Sequence, residues 1–287
     1  MVMFDITTYF RLIQSTQNDL VKKIRVHLDG GTRASQLRKD SGLACIEGIH
    51  LVDAWIKSSR ISEIKTIITS HVDLQKPEIS NMLHNLIDHC EKHHDELPEL
   101  ILVDEVIQSS LSGLVNGPCL LALVTISLPY SKLEVQVDTV VLDAIQDSGN
   151  VGTILRTALG AGYQRVICTV GTASIWSLKV LRAAMGAHLH LEIFEMVDPQ
   201  EFIQTSSQAI YVTALDSSAI KLYDLGSDLL QPHTFVFGNE GQGVSPLFLE
   251  HGTPVMIPQE NHVESLNVAA AAAVCLFEAR RIRQHAH

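Results

Sequence analysis

The chain has 287 residues, 46% hydrophobic and 18% charged, with a mean hydropathy of +0.17. This excludes a disordered or collagen-like polypeptide and allows one large domain or two ordinary ones with buried cores. The longest apolar runs, 120–124 and 268–277, are far shorter than the roughly 20 residues of a membrane-spanning helix, so no membrane partner is expected. Residues 1–10 show no basic region ahead of an apolar stretch, so no secretory signal is visible. The five cysteines (Cys45, Cys90, Cys119, Cys168, Cys275) are scattered and form no CxxC pair, which fits free thiols in a reducing, cytoplasmic setting.

The net charge of -11 argues against a protein that coats itself onto nucleic acid, and no DNA partner is expected, but the total conceals an asymmetry. Between residues 11 and 65 ten Lys/Arg face six acids, a net of +4, whereas 66–150 carries a net of -10. Residues 151–191 then hold Arg156, Arg165, Lys179 and Arg182 with no acid. Two basic islands in an acidic protein point to an anionic ligand, although each charge alone reads better as a solvated helix face.

In chain order, spacing predicts helices over 19–28 and 48–58, a strand over 64–70, a helix over 81–94 and a buried strand over 120–128. The break at Pro129 and the polar stretch after it suggest a domain boundary near residue 130, giving domains 1–130 and 131–287. Beyond it strands and helices alternate: strand 139–144, helix 151–159 closed by Gly160 and Gly162, strand 165–170, helix 176–185 closed by Gly186, and strand 189–194. A helix after Pro199, strands 210–214, 234–238 and 254–257, and a helix from 264 to about 283 complete the series. Such alternation predicts an α/β fold with a mostly parallel sheet covered by helices on both faces, and ligands in such sheets sit beyond the carboxyl ends of the strands.

Three strand-end loops carry polar and glycine clusters. In the first, Gly149, Gly152 and a nascent helix N-terminus offer an anion cradle with Arg156 one turn on; Asp147 or Asn150 as a plain N-cap is the alternative. Neither the dinucleotide fingerprint nor the P-loop is present. The second, Phe237 to Pro246, has Gly238, Gly241 and Gly243 within six positions, which implies positive φ or close backbone approach to a ligand, and Ser245-Pro246 reads as a helix start. The third runs from Ile257 to Asn267 ahead of five alanines, Ala269 to Ala273, with Ser265 or Asn267 available simply to cap the helix.

Asn150 to Ala158 (N-x-G-x-x-x-R-T-A), Phe237 to Gly243 (F-G-N-E-G-x-G) and Ile257 to Ala271 (I-P…S-L-N-V-x-x-A) together resemble the ordered motifs of the SpoU (TrmH-type) class of SPOUT RNA methyltransferases. The N-terminal part, with Ser15-Thr16-Gln17-Asn18 before Val21-Lys22-Lys23 and then Glu47-Gly48 before His50-Leu51-Val52, is similar to that family's L30e-like substrate-binding domain. The resemblance implies 2′-O-methylation of a ribose in structured RNA, rRNA ahead of tRNA, from S-adenosylmethionine. It further implies a homodimer and a trefoil-knotted catalytic domain. Motif matching places Asn150, Arg156, Glu240 and Asn267 at catalytic positions and Thr213, Ala214, Gly238, Asn239, Gly241, Ile257, Ser265 and Leu266 at the cofactor. Lys22, Lys23, Arg33, Arg38, Lys179 and Arg182 are the candidate RNA contacts.

An arginine stays protonated in nearly every protein setting, so Arg156 is read as a clamp for phosphate and the developing alkoxide, with proton acceptance left open. His89 and His93, spaced i, i+4 beside Cys90, have metal-ligand spacing but no convincing third ligand, and no metal is expected. The alternatives are an RNA-binding protein that keeps the fold without catalysis, and a generic nucleotide-binding enzyme.

Overall fold

The computed structural model describes residues 5–29, 31–111, 117–126, 133, 136–216, 218–260 and 265–286. It divides into two compact units, Met1–Ser127 with Trp176–Leu178, and Leu128–Ile175 with Lys179–His287. The linker expected around Pro129 lies outside the described residues.

The first unit contains β1 (Phe10–Ile13), α1 (Asp19–Asp29), α2 (Gly31–Ser41), β2 (Leu43–Glu47), α3 (Ile49–Lys57), β3 (Ile64–Ser70), α4 (His71–Leu74), α5 (Pro77–His93), β4 (Glu99–Val103), α6 (Glu105–Leu111) and β5 (Leu120–Thr125). Its five-stranded sheet has the order β1-β4-β3-β5-β2, with β1, β4 and β3 parallel and β5 antiparallel to both β3 and β2. Helix α1 turns Val21 and Ile24 into a core with Ile68, Ile101 and Leu121, and so leaves Lys22 and Lys23 exposed. Pro77 at the first position starts α5, and His94 in the left-handed region (φ 56°) ends it. Its inner stripe is Met82, Leu83, Leu86, Ile87 and Cys90, as the spacing predicts, extended by Ile79 because the helix starts at Pro77, four residues ahead of the predicted 81. Strands β1, β2 and β4 and helices α2, α4 and α6 are not among the elements the spacing predicts; α2 carries little beyond Ala34 and Leu37 to form an apolar face.

The second unit contains β6 (Thr139–Asp143), α7 (Ser148–Ala161), β7 (Arg165–Thr169), α8 (Leu178–Ala184), β8 (Glu192–Val197), α9 (Pro199–Thr205), β9 (Ala209–Thr213), β10 (Ile220–Lys221), β11 (His233–Gly238), α10 (Pro246–His251), β12 (Thr253–Met256) and α11 (Val268–His285). The seven strands run β10-β12-β9-β11-β6-β7-β8, every pairing parallel. Every residue of β6, β7 and β11 is buried, the signature of a parallel sheet covered on both faces.

Helix α7 begins earlier than predicted because Asp147 accepts the Asn150 N–H at 2.9 Å, and it ends at Gly162 in the left-handed region (φ 90°). Gly160 lies inside it. The strand expected over 189–194 is shifted to β8 because Ala187–Leu189 form a 3-10 turn. Helix α8 is shorter than the predicted 176–185, and α11 starts at Val268, its predicted residue 264 lying outside the described residues. Ala269, Ala272, Cys275, Leu276 and Ala279 form the buried stripe of α11. Its far end is latched by Arg283, which pairs with Asp138 through both terminal nitrogens and donates from Nε to the Leu229 carbonyl at 2.9 Å. Beside this latch the Tyr163 hydroxyl meets His233 Nε2 at 2.7 Å; burial pushes the tyrosine well up and the histidine down. All five cysteines are buried thiols, and among the described residues no helix is long and apolar enough to cross a membrane.

Candidate active site

Because β12, β9, β11 and β6 are consecutive and parallel, their carboxyl ends share one edge, and the three motif loops leave from it. Asn150 Nδ2 donates to Glu240 Oε1 at 2.8 Å, and Asn267 Nδ2 donates to Asn150 Oδ1 at 3.1 Å. Three side chains up to 117 positions apart thus form one hydrogen-bonded chain. Each member is held from behind. Asn150 sits in the first turn of α7 above its Asp147 cap, a carboxylate lowered in pKa chiefly by the Asn150 N–H bond. Asn267 is the N-cap of α11, its Oδ1 accepting from Ala269 and Ala270 at 2.9 and 3.3 Å. This settles the choice between Ser265 and Asn267 as cap.

Glu240 rides on a tightly closed loop. Asn239 and Gly243 exchange two backbone hydrogen bonds at 3.0 and 2.8 Å, and Asn239 Oδ1 accepts from the Gly241 and Gln242 N–H groups at 2.9 and 3.1 Å. A Cβ on Gly238 would lie 2.3 Å from backbone atoms of Gly243 and Val244, so the closure demands glycine there. Of the expected cofactor residues, Thr213 donates its hydroxyl to the Val236 carbonyl at 2.9 Å and the Ala214 N–H reaches Val255 O at 3.0 Å, which ties the β9 tip to both neighbouring strands. Ile257 is buried just past β12, Leu266 is half-buried and Ser265 exposed.

Arg156 does not join the asparagine chain. It is exposed and has no hydrogen bond or ion pair among the described residues. Helical geometry sets it about 9 Å along α7 and about 120° around from Asn150.

The anion cradle expected at Gly152 is corrected: a Cβ there would lie 2.5 Å from Ala183 Cβ and 2.7 Å from Val180 O, so this glycine lets α7 and α8 pack rather than facing a ligand. The acid-free window is also less available than its sequence suggests. Arg165 is buried, its guanidinium 3.2 Å from Glu192 and 5.5 Å from the Phe194 ring centre, and Lys179 lies 3.4 Å from Asp147. Arg182 is half-buried.

In the first unit Lys22, Lys23 and Arg33 line a groove of about 510 Å³ between α1 and α2, with Arg25 and the acids Asp29 and Asp40. Arg38 is a correction: it is 6% exposed, turned inward near His27. Burial and then the Arg38 charge push the pKa of that histidine down to about 4. Among the described residues no three His, Cys, Asp or Glu side chains converge as a metal site. Sequence reasoning passed over Asp143, Ala144 and Thr169, which support the loops from below; the available signal was an acid closing an otherwise apolar strand.

The sequence pattern of the SpoU rRNA Methylase family matches residues 138–277. An uncharacterized tRNA/rRNA methyltransferase of Synechocystis sp. is 31% identical over 97% of this chain and 97% of its own length. The 23S rRNA (guanosine(2553)-2′-O)-methyltransferase of Bacillus subtilis is 34% identical over 53% of this chain and 62% of its own. Among solved structures, an AdoMet-bound rRNA methyltransferase from Sinorhizobium meliloti superposes with a TM-score of 0.76 at 25% identity, covering 95% of this chain and 98% of that one.

Proposed function

Since the chain belongs to the SpoU rRNA methylase family, we propose that it transfers a methyl group from S-adenosylmethionine to a ribose 2′-hydroxyl of structured RNA, rRNA ahead of tRNA. The observation that carries this reading is the Asn150–Glu240–Asn267 chain, which joins three separate strand-end loops at the sheet edge where α/β proteins bind ligands. The Bacillus subtilis relative, named for 2′-O-methylation of 23S rRNA, and the AdoMet-bound neighbour support the chemistry.

The residues present fit the donor. The turn around Gly238, Gly241 and Gly243 exposes backbone rather than side chains, Ile257 adds an apolar surface, and Glu240 is the one acid between 237 and 245. That set suits a ligand combining an adenine, an amino-acid end and a cationic sulfonium. When bound, S-adenosylmethionine supplies an electrophilic methyl carbon open to in-line displacement. Asn150 has one amide end held by Glu240 and the other by Asn267, so it is pre-oriented toward a ribose, which is where positioning contributes to rate. Arg156, permanently cationic and exposed, clamps the phosphate beside the target sugar and stabilises the developing alkoxide while the hydroxyl proton passes to solvent water. Its distance from Asn150 within one protomer is met by the homodimer, in which the guanidinium acts across the subunit boundary. The trefoil-knotted threading belongs to the same reading. RNA approaches through the α1–α2 groove of the first unit, with Lys22, Lys23 and Arg33, and through Lys179 and Arg182 of the second.

Calorimetric titration with S-adenosylmethionine, followed by mapping of ribose methylation in RNA from cells lacking the protein, tests the proposal. Saturable binding and the loss of a specific 2′-O-methyl group are expected. Failure to bind the donor would favour the non-catalytic RNA-binding alternative. Arg156→Ala is expected to keep donor affinity within about twofold and abolish transfer; retained turnover would remove Arg156 from the mechanism.

A further inference from the structure

Asp143 ends β6 with its side chain 4% exposed, and nothing in the proposed chemistry uses it. Its Oδ2 accepts the Ser245 N–H at 2.7 Å, and its Oδ1 accepts the Thr169 hydroxyl at 3.1 Å. Thr169 Oγ1 in turn accepts the Ala144 N–H at 3.0 Å. Ala144 itself is held in the left-handed region (φ 55°), a conformation that costs a non-glycine residue energy and persists only where the surroundings impose it. Held this way, its carbonyl accepts from Asn239 Nδ2 at 2.9 Å. One dipeptide, Asp143-Ala144, therefore grips the loop 239–245 at both ends, Asn239 at the start and Ser245 at the finish. Glu240 and the glycine turn lie between those two attachments.

A buried carboxylate bound to a backbone N–H forms a charge-assisted bond, stronger and more directional than a neutral one. Among the described residues, the hydrogen bonds that tie this loop to the sheet are those two; the Asn239–Gly243 pair closes the loop on itself, Asn150 holds Glu240, and Val244 packs into the core. We propose that Asp143 is a positioning residue for the methyl-donor loop: through Ser245 and, by way of Thr169 and Ala144, through Asn239, it sets the loop in the donor-binding conformation. This inference rests on the donor reading of the loop given above, and it concerns affinity for the donor rather than the transfer step. A support residue of this kind acts by pre-organising groups that touch the ligand.

The test is calorimetry of the full chain with S-adenosylmethionine and S-adenosylhomocysteine, paired with hydrogen exchange of the 238–246 segment. Asp143→Ala is expected to weaken both ligands by 10-fold or more and to speed exchange in that segment, with other segments unchanged. Asp143→Asn keeps an oxygen for the Ser245 N–H and is expected to restore affinity to within about threefold, a rescue that a generally destabilised fold would not give. Thr169→Val, which leaves Asp143 in place but removes its hydroxyl partner, is expected to weaken binding about 3-fold and decides the matter should the alanine variant fail to fold. Donor affinity within twofold of the parent for Asp143→Ala or Thr169→Val, or equal losses for the alanine and asparagine variants, would overturn the inference. Absence of binding by the parent chain would overturn instead the donor reading itself.

Discussion

Gly152→Ala perturbs the candidate site without touching it. An ideal Cβ at 152 lies 2.5 Å from Ala183 Cβ, 2.7 Å from Val180 O and 3.1 Å from Ala184 N. Carbon atoms in contact rest at about 3.5–4.0 Å, and two of these three neighbours are backbone atoms of α8, so the helices must separate by about 1 Å. Overpacking of this kind costs about 1–3 kcal/mol, while replacing glycine by alanine inside a helix returns about 1 kcal/mol. The net expectation is a loss of up to about 2 kcal/mol, seen as a fall of up to about 8 °C in the thermal midpoint at about 2–4 °C per kcal/mol. Asn150 lies two residues upstream, and a shift of that size strains its bonds to Glu240 and Asn267, so methyl transfer should fall about tenfold. Gly160→Ala is the control in the same helix. Its Cβ would meet only Phe277 Cζ at 3.7 Å, an ordinary contact, so the helix-propensity gain of about 1 kcal/mol should dominate and raise the midpoint. Equal stabilisation by the two substitutions would refute the packing role of Gly152 and reopen the loop as an anion cradle.

Asn267→Asp keeps the cap on α11 but can no longer donate to Asn150 Oδ1; denaturation should show little change while methyl transfer drops about tenfold or more, whereas Asn267→Ala should also lose about 1 kcal/mol of stability. Arg283→Ala removes the bonds to Asp138 and Leu229 and should lower urea stability by about 2–3 kcal/mol with donor affinity preserved, since the latch sits at the opposite ends of β6 and β11 from the site. For His27 the folded pKa of about 4 lies below the ordinary 6.5, so the unfolded chain binds the extra proton between those values. Stability is complete above pH 6.5 and falls toward pH 4, by at most about 1.4 kcal/mol per pH unit per group; His27→Leu should flatten the curve in this window. Reversing Lys22, Lys23 and Arg33 together should weaken RNA binding and reduce its salt dependence by about three charges, and an unchanged salt slope would place RNA elsewhere.

The second unit was far more legible in the sequence than the first. Its strands are buried on both faces, so β6, β7 and β11 read as apolar blocks bounded by glycine or polar turns, and their α/β alternation followed directly. In the first unit, α2 has too few apolar residues for a stripe, and β1 is a four-residue edge strand with two exposed positions; periodicity has little to act on in either. Among site residues, Asn150, Glu240 and Asn267 could be singled out through the resemblance of their three loops to the family's motifs, since a capping role alone explains Asn150 and Asn267 equally well in the sequence. Asp143 offered only one signal, an acid closing an apolar strand, and its role stayed hidden because its partners Ser245 and Thr169 lie 102 and 26 positions away.

By itself the sequence determined the alternation of most elements in the second unit and the glycine-rich turns, which depend on neighbours a few residues apart, and the family, which is written in the order of three short motifs; the caps of α7 and α11 were decided by the structure. Tertiary structure decided which charges are available and which glycines are spacers. Arg38 and Arg165 carry the same side chain as Arg156, yet packing buries the first two and leaves the third in solvent. Gly152 and Gly238 look alike in the motifs, but one admits a helix and the other closes a loop. The physical reason is that burial and close approach are fixed by chain segments distant in sequence, and only the parallel order β12-β9-β11-β6 brings those segments to a common edge.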